Sequence, residues 1–207
     1  MRTQDLLDRH REAWRAATKH PFLKSVRDGT LLREAFATWL VQDYLFVTDG
    51  LSFQSRLISR APRRDQALLI SGLSALETEL GWFEERAENR KLGLDAPRHP
   101  TTEAYRDFLH GLERESYAAK ITALWALERA YLESWRNAAP GHPGYREFVE
   151  HWTTPEFAGY VTGLEEAADA ALEAADESEL ERAEAAFVET IRLEKEFWEM
   201  ALGKDGG

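Results

Sequence analysis

Apolar residues recur every three or four positions along almost the whole chain, and no β-branched run alternates in and out with period two. That spacing puts them on one face of an α-helix, so the sequence predicts an all-α fold in one domain over residues 1–207. Proline, glycine and capping residues divide the pattern. A first helix covers about residues 3–19 and is closed by His20-Pro21. A short turn then leads to Asp28-Gly29-Thr30, where Gly29 suits a helix C-terminus and Thr30 an N-cap. Further helices are predicted over about 31–59, 64–91, 100–111 and 116–138, with a short one near 145–151. Thr154-Pro155 pairs an N-cap with proline at the first helical position, opening a helix to about 174. Ser178-x-x-Glu181 reads as a capping box for the last helix, to about 202, and 203–207 as a frayed tail.

Composition narrows the function. The chain has no cysteine, which removes disulfides, thiolate metal sites and a thiol nucleophile together. Twenty-six basic against 37 acidic residues leave a formal charge of −11, a field that repels phosphate backbones and argues against nucleic acid. No stretch approaches the roughly 20 apolar residues that cross a bilayer. Residues 1–12 are mixed-charge and lack the apolar core of a signal peptide, so a cytoplasmic protein is expected. Seven Trp, ten Phe and six Tyr supply a core and also the walls of a ligand site.

Three helices carry acids inside aromatic stripes. On the second, Trp39, Asp43 and Phe46 share a face; on the fifth, Glu128 lies beside Tyr131; on the last, Glu194 precedes Phe197 and Trp198. A buried ionised carboxylate costs several kcal/mol unless it is paired. Asp43 therefore marks either a hydrogen-bonded packing device or a small-molecule pocket, Glu128 either a surface ion pair with a neighbour such as Arg129 or Lys120 or that same pocket, and periodicity alone leaves these open.

Taken in order, His20-Pro21-Phe22, Asp28-Gly29-Thr30-Leu31, Phe36-x-x-Trp39-x-x-Gln42-Asp43-Tyr44, Glu128-x-x-Tyr131-x-Glu133-x-Trp135, His151-Trp152 and Glu194-x-x-Phe197-Trp198 resemble the TenA/thiaminase II family. The resemblance implies a haem-oxygenase-like helical bundle, a homotetramer, and no haem or metal cofactor. It also implies hydrolysis of aminopyrimidines from degraded thiamin to a hydroxymethylpyrimidine. Asp43, Tyr44, Phe46, Tyr131, Trp152 and Phe197 would then hold the pyrimidine, and Glu194 would handle protons. Leu127 stands where thiaminase II carries its nucleophilic cysteine; the cysteine-free branch has a glutamate near that position, for which Glu128 is the candidate, turned about 100° around the helix from residue 127. Without a thiol the simplest route is direct attack by water, with Glu128 and Glu194 as acid and base in either order. The alternative is a pyrimidine-binding or regulatory protein that has kept the pocket and lost turnover. A di-iron bundle needs Glu-x-x-His on two helices; the nearest approach here is Asp107-x-x-His110.

Overall fold

The apolar spacing resolves into ten α-helices, with no strand among the described residues, in the computed structural model, which describes residues 1–203. In chain order these are α1 (Thr3–Arg9), α2 (Arg11–Thr18), α3 (Pro21–Asp28), α4 (Arg33–Ile58) and α5 (Arg63–Arg90). After them come α6 (Pro100–Gly111), a 3-10 turn (Leu112–Arg114), α7 (Tyr117–Ala138), α8 (Arg146–His151), α9 (Pro155–Ala174) and α10 (Glu177–Ala201). The expected frayed tail lies outside the described residues, apart from Gly203.

Four boundaries differ from the sequence expectation, each for a local reason. The first helix breaks at His10, so that α1 reaches α9, where Thr3 N–H and Oγ1–H both donate to Asp169 at 2.8 Å. Beyond the break, α2 packs on α7 and α10 through Trp14, stacked on Trp125 and Phe187. One straight helix could not touch all three.

The stretch expected to be a turn after Pro21 is the helix α3. His20 Nδ1 accepts the Phe22 N–H at 3.3 Å, Pro21 supplies a fixed first turn, and Phe22, Leu23 and Val26 are buried on one face. Gly29 ends it at φ 72°, where a Cβ would meet the His142 ring at 2.4 Å. Thr30 does not cap α4 as expected. Its N–H and that of Leu31 return to the Ser25 carbonyl, so both residues are spent closing α3, and α4 starts from an uncapped Leu32. The last helix is capped two residues earlier than Ser178, by Asp176 and Glu179, which exchange bonds of 2.9 and 3.2 Å. The earlier acid pair adds helical residues and leaves Ser178 inside.

α7 is the central rod, enclosed by α2, α3, α9 and α10. Trp39, Trp125, Trp135 and Trp198 fill the core around it. On the far side, Gln42 fixes the chain between α5 and α6: its amide donates to the Pro97 carbonyl, and its oxygen accepts from His99 N–H and Thr102 Oγ1–H. Among the described residues no helix is long and apolar enough to cross a membrane.

Candidate active site

Where α4, α5 and α7 meet the α8–α9 corner, their side chains leave a cavity of about 460 Å³. That size suits a small organic ligand. Its walls are aromatic and its functional groups are acids. α4 contributes Asp43 and Phe46, α7 contributes Leu127, Glu128 and Tyr131, and the α8–α9 corner contributes His151, Trp152, Phe157 and Tyr160. α5 contributes Gly72 and Glu79.

Each acid has a physical partner or lacks one. Asp43 is 3% exposed and accepts a short hydrogen bond from Tyr131 Oη. Burial lifts its pKa well above the usual range; the Tyr131 bond opposes this, and the charges of Glu79 and Glu194 add to the rise. Glu79 accepts from Trp152 Nε1, and burial outweighs that bond, pushing it up to about 7. No hydrogen bond reaches the Glu128 carboxylate among the described residues. Burial first, then the charges of Glu79 and Glu194, push it up to about 8. Glu194 accepts from Tyr105 Oη at 2.7 Å and is pushed by burial to about 7. Four such carboxylates cannot all be ionised together, so the group holds protons near neutral pH and contains both acid and base. His151, stacked on Trp82 at 4.0 Å, is pushed down to about 4 by burial and then by Arg86, so its ring is neutral beside Glu79.

The structure gathers most of the sequence-selected residues. Asp43, Phe46, Glu128, Tyr131 and Trp152 line the cavity. Glu194 and Phe197 lie behind that lining: Phe197 packs on Phe46 at 5.8 Å between ring centres, and Phe46 packs on Tyr105 at 4.5 Å. Tyr44 departs from the expectation. One residue on from Asp43, it is turned about 100° around α4, and its hydroxyl donates to Glu84 at 3.1 Å, away from the cavity.

Sequence reasoning missed Glu79, although the signal was present. Glu79-x-x-Trp82-Phe83 on α5 repeats the acid-and-two-aromatics spacing of Glu194-x-x-Phe197-Trp198 on α10. The many other glutamates of α5 hid it. Gly72 was missed as well. A Cβ there would fall 2.2 Å from Tyr160 Oη, so only glycine lets that ring close the cavity edge.

The TENA/THI-4/PQQC family model matches residues 7–204. A soybean (Glycine max) protein named "Probable bifunctional TENA-E protein" is 32% identical over 97% of this chain and 93% of its own length. The "Aminopyrimidine aminohydrolase" of Halalkalibacterium halodurans is 27% identical over 96% of this chain and 94% of its own. Among solved structures, a TenA homologue from Pyrococcus furiosus superposes with TM-score 0.93 at 30% identity, covering 97% of this chain and 100% of its own. The fold is thus the all-α, haem-oxygenase-like bundle of TenA homologues. On the match over nearly its full length and on this shared architecture, the chain belongs to the TENA/THI-4/PQQC family, as a member without cysteine.

Proposed function

We propose that the cavity hydrolyses an aminopyrimidine in thiamin salvage, turning an aminomethyl- or formylaminomethyl-pyrimidine into the hydroxymethylpyrimidine. One observation carries this reading: an aromatic cavity holds carboxylates pushed to about 7 and about 8, an acid and a base in one site at neutral pH. The names of the relatives from Halalkalibacterium halodurans and Bacillus subtilis, both "Aminopyrimidine aminohydrolase", support the same reaction class.

In this reading Asp43 anchors the ring. Burial disfavours its charge, so a basic ring nitrogen that takes its proton becomes its counter-ion, and the adjacent amino group donates to the same carboxylate. Phe46, Tyr131 and Trp152 hold the flat ring. Water attacks the exocyclic methylene carbon, and the carbon–nitrogen bond breaks. A general base takes one proton from the water; a general acid gives one to the departing nitrogen, which leaves as ammonia or, from the formyl compound, as formamide.

The pair expected from sequence was Glu128 with Glu194. Glu128, with the highest pKa of the three glutamates, is the acid. Glu79 faces the cavity directly and carries a stabilising donor in Trp152, which suits it as the base. Glu194, from behind the lining, keeps Glu128 protonated through its charge. No thiol takes part, so direct water attack replaces a covalent intermediate.

The reading extends to a cytoplasmic homotetramer, which light scattering tests as a mass of four chains. Its chemical test is a turnover screen with aminomethyl- and formylaminomethyl-pyrimidine alongside thiamin, following ammonia, formamide and the alcohol. Release of the alcohol from either pyrimidine, with slow or no thiamin cleavage, is the expected result. Saturable pyrimidine binding with no product would instead assign the protein a regulatory role.

A further inference from the structure

Away from the large cavity, the C-terminal end of α4 and the first turn of α7 enclose a second pocket of about 200 Å³. Arg56, Arg60 and Lys120 line it with a single carboxylate, Glu113, in a chain of formal charge −11. Lys120 is the decisive member. It is 4% exposed, yet no hydrogen bond or ion pair reaches its ammonium among the described residues. The nearby acids are engaged elsewhere: Glu113 Oε1 lies 2.6 Å from Arg56 Nε, and Glu115 lies 3.4 Å from Arg182. Arg56 Nη2 is also buried without a hydrogen-bond partner.

Electrostatics worsens the position of Lys120. The first turn of α7 contains no acidic residue, so the ammonium stands at the positive end of that helix dipole. Burial and the neighbouring Arg60 both push its pKa down, against a smaller opposing pull from Glu113 and Glu115. Packing does not call for a charge here, since methionine would fill the same space with no desolvation cost. An ammonium that lines a pocket and meets no acceptor of its own chain leaves room for a partner from outside it.

We propose that this pocket binds a phosphoryl group, either free phosphate or the phosphate of a small monoester. A dianion matches three cations opposed by one carboxylate, whereas a carboxylate ligand would leave positive charge in excess. The two guanidinium forks suit tetrahedral oxygens, and Lys120 adds a point charge from the buried side. Phe53 and Leu57, each 2% exposed, line the same pocket and offer an apolar surface to the organic part of a monoester. The site shares no lining residue with the large cavity, so it stands independently of the hydrolase reading.

Titration calorimetry on the whole protein, with inorganic phosphate, phenyl phosphate and acetate against chloride at equal ionic strength, tests the assignment. Saturable phosphate binding is expected, with acetate at least tenfold weaker. Tighter binding of phenyl phosphate than of phosphate identifies a monoester; equal affinity identifies free phosphate. Lys120→Met should lower phosphate affinity at least tenfold while its unfolding midpoint in phosphate-free buffer stays equal or rises. Arg60→Ala, at an exposed side chain that leaves folding untouched, should also weaken binding severalfold. Phosphate indistinguishable from chloride, acetate binding as tightly as phosphate, or both variants binding like wild type would each overturn the proposal.

Discussion

Glu79→Gln separates the two roles an enclosed acid can have, because it should raise stability and remove activity together. The side chain is 17% exposed, with its free edge on the cavity, and accepts from Trp152. Its pKa is raised from 4.5 to about 7, with burial as the cause and the Trp152 bond in opposition. At about 1.4 kcal/mol for each pK unit the rise corresponds to about 3 kcal/mol, which the wetted edge reduces to about 2 kcal/mol. The sign follows from linkage. A carboxyl whose folded pKa lies above its unfolded value carries no penalty below about 4.5 and the full penalty above about 7. Stability present at low pH is therefore lost as pH rises through 7.

Glutamine keeps an oxygen for Trp152 and has no charge to desolvate. Urea unfolding followed by tryptophan fluorescence should give variant and wild type equal stability at pH 4.5. At pH 8 the variant should be more stable by about 2 kcal/mol. Turnover of aminomethylpyrimidine should fall by about two to four orders of magnitude, the range for loss of a general base. A variant less stable than wild type at both pH values would refute the burial argument. Wild-type turnover in it would refute the base assignment and, together with a loss of that size in Glu194→Gln, would transfer the role to Glu194.

Three further outcomes are expected. Activity against pH should be bell-shaped: it rises as the base ionises through about 7 and falls as Glu128 loses its proton through about 8. A flat profile from pH 6 to 9 would exclude the pair. Tyr131→Phe removes the hydroxyl that opposes the rise in Asp43's pKa and leaves that carboxyl short of a donor. It should cost about 1–3 kcal/mol of stability and raise KM more than it lowers kcat, read from urea titration and steady-state kinetics. Gly72→Ala puts a Cβ 2.2 Å from Tyr160 Oη and 2.6 Å from Gln54 Nε2, so it should destabilise by about 1–3 kcal/mol. Adding Tyr160→Leu should restore part of the unfolding midpoint, the contact with Gln54 Nε2 remaining, and no recovery at all would place the strain elsewhere.

How much of the site was legible follows from what a helical repeat encodes. Spacing of three and four put Asp43 with Trp39 and Phe46, and Glu194 with Phe197, because a single helix fixes which of its own residues share a face. The same rule turned Tyr44 off that face, although the family resemblance had placed it against the ligand. Glu79 carried the same spacing and was lost among the other acids of α5, since no local feature tells an acid that meets a cavity from one that meets water. The short α3 was readable in its proline, its apolar triplet and Gly29, but three buried residues give a weak period.

The sequence by itself determined an all-helical chain without thiol chemistry, together with most of the acids and aromatics of the site. Tertiary structure alone decided that α4, α5 and α7 converge on one cavity, that Glu128 meets the charges of Glu79 and Glu194, and that Glu194 stands behind the wall. The physical reason is that periodicity orients side chains about one axis. Distances between helices, and the desolvation and charge repulsion that set these carboxylates near neutral pH, exist only once several axes are packed together.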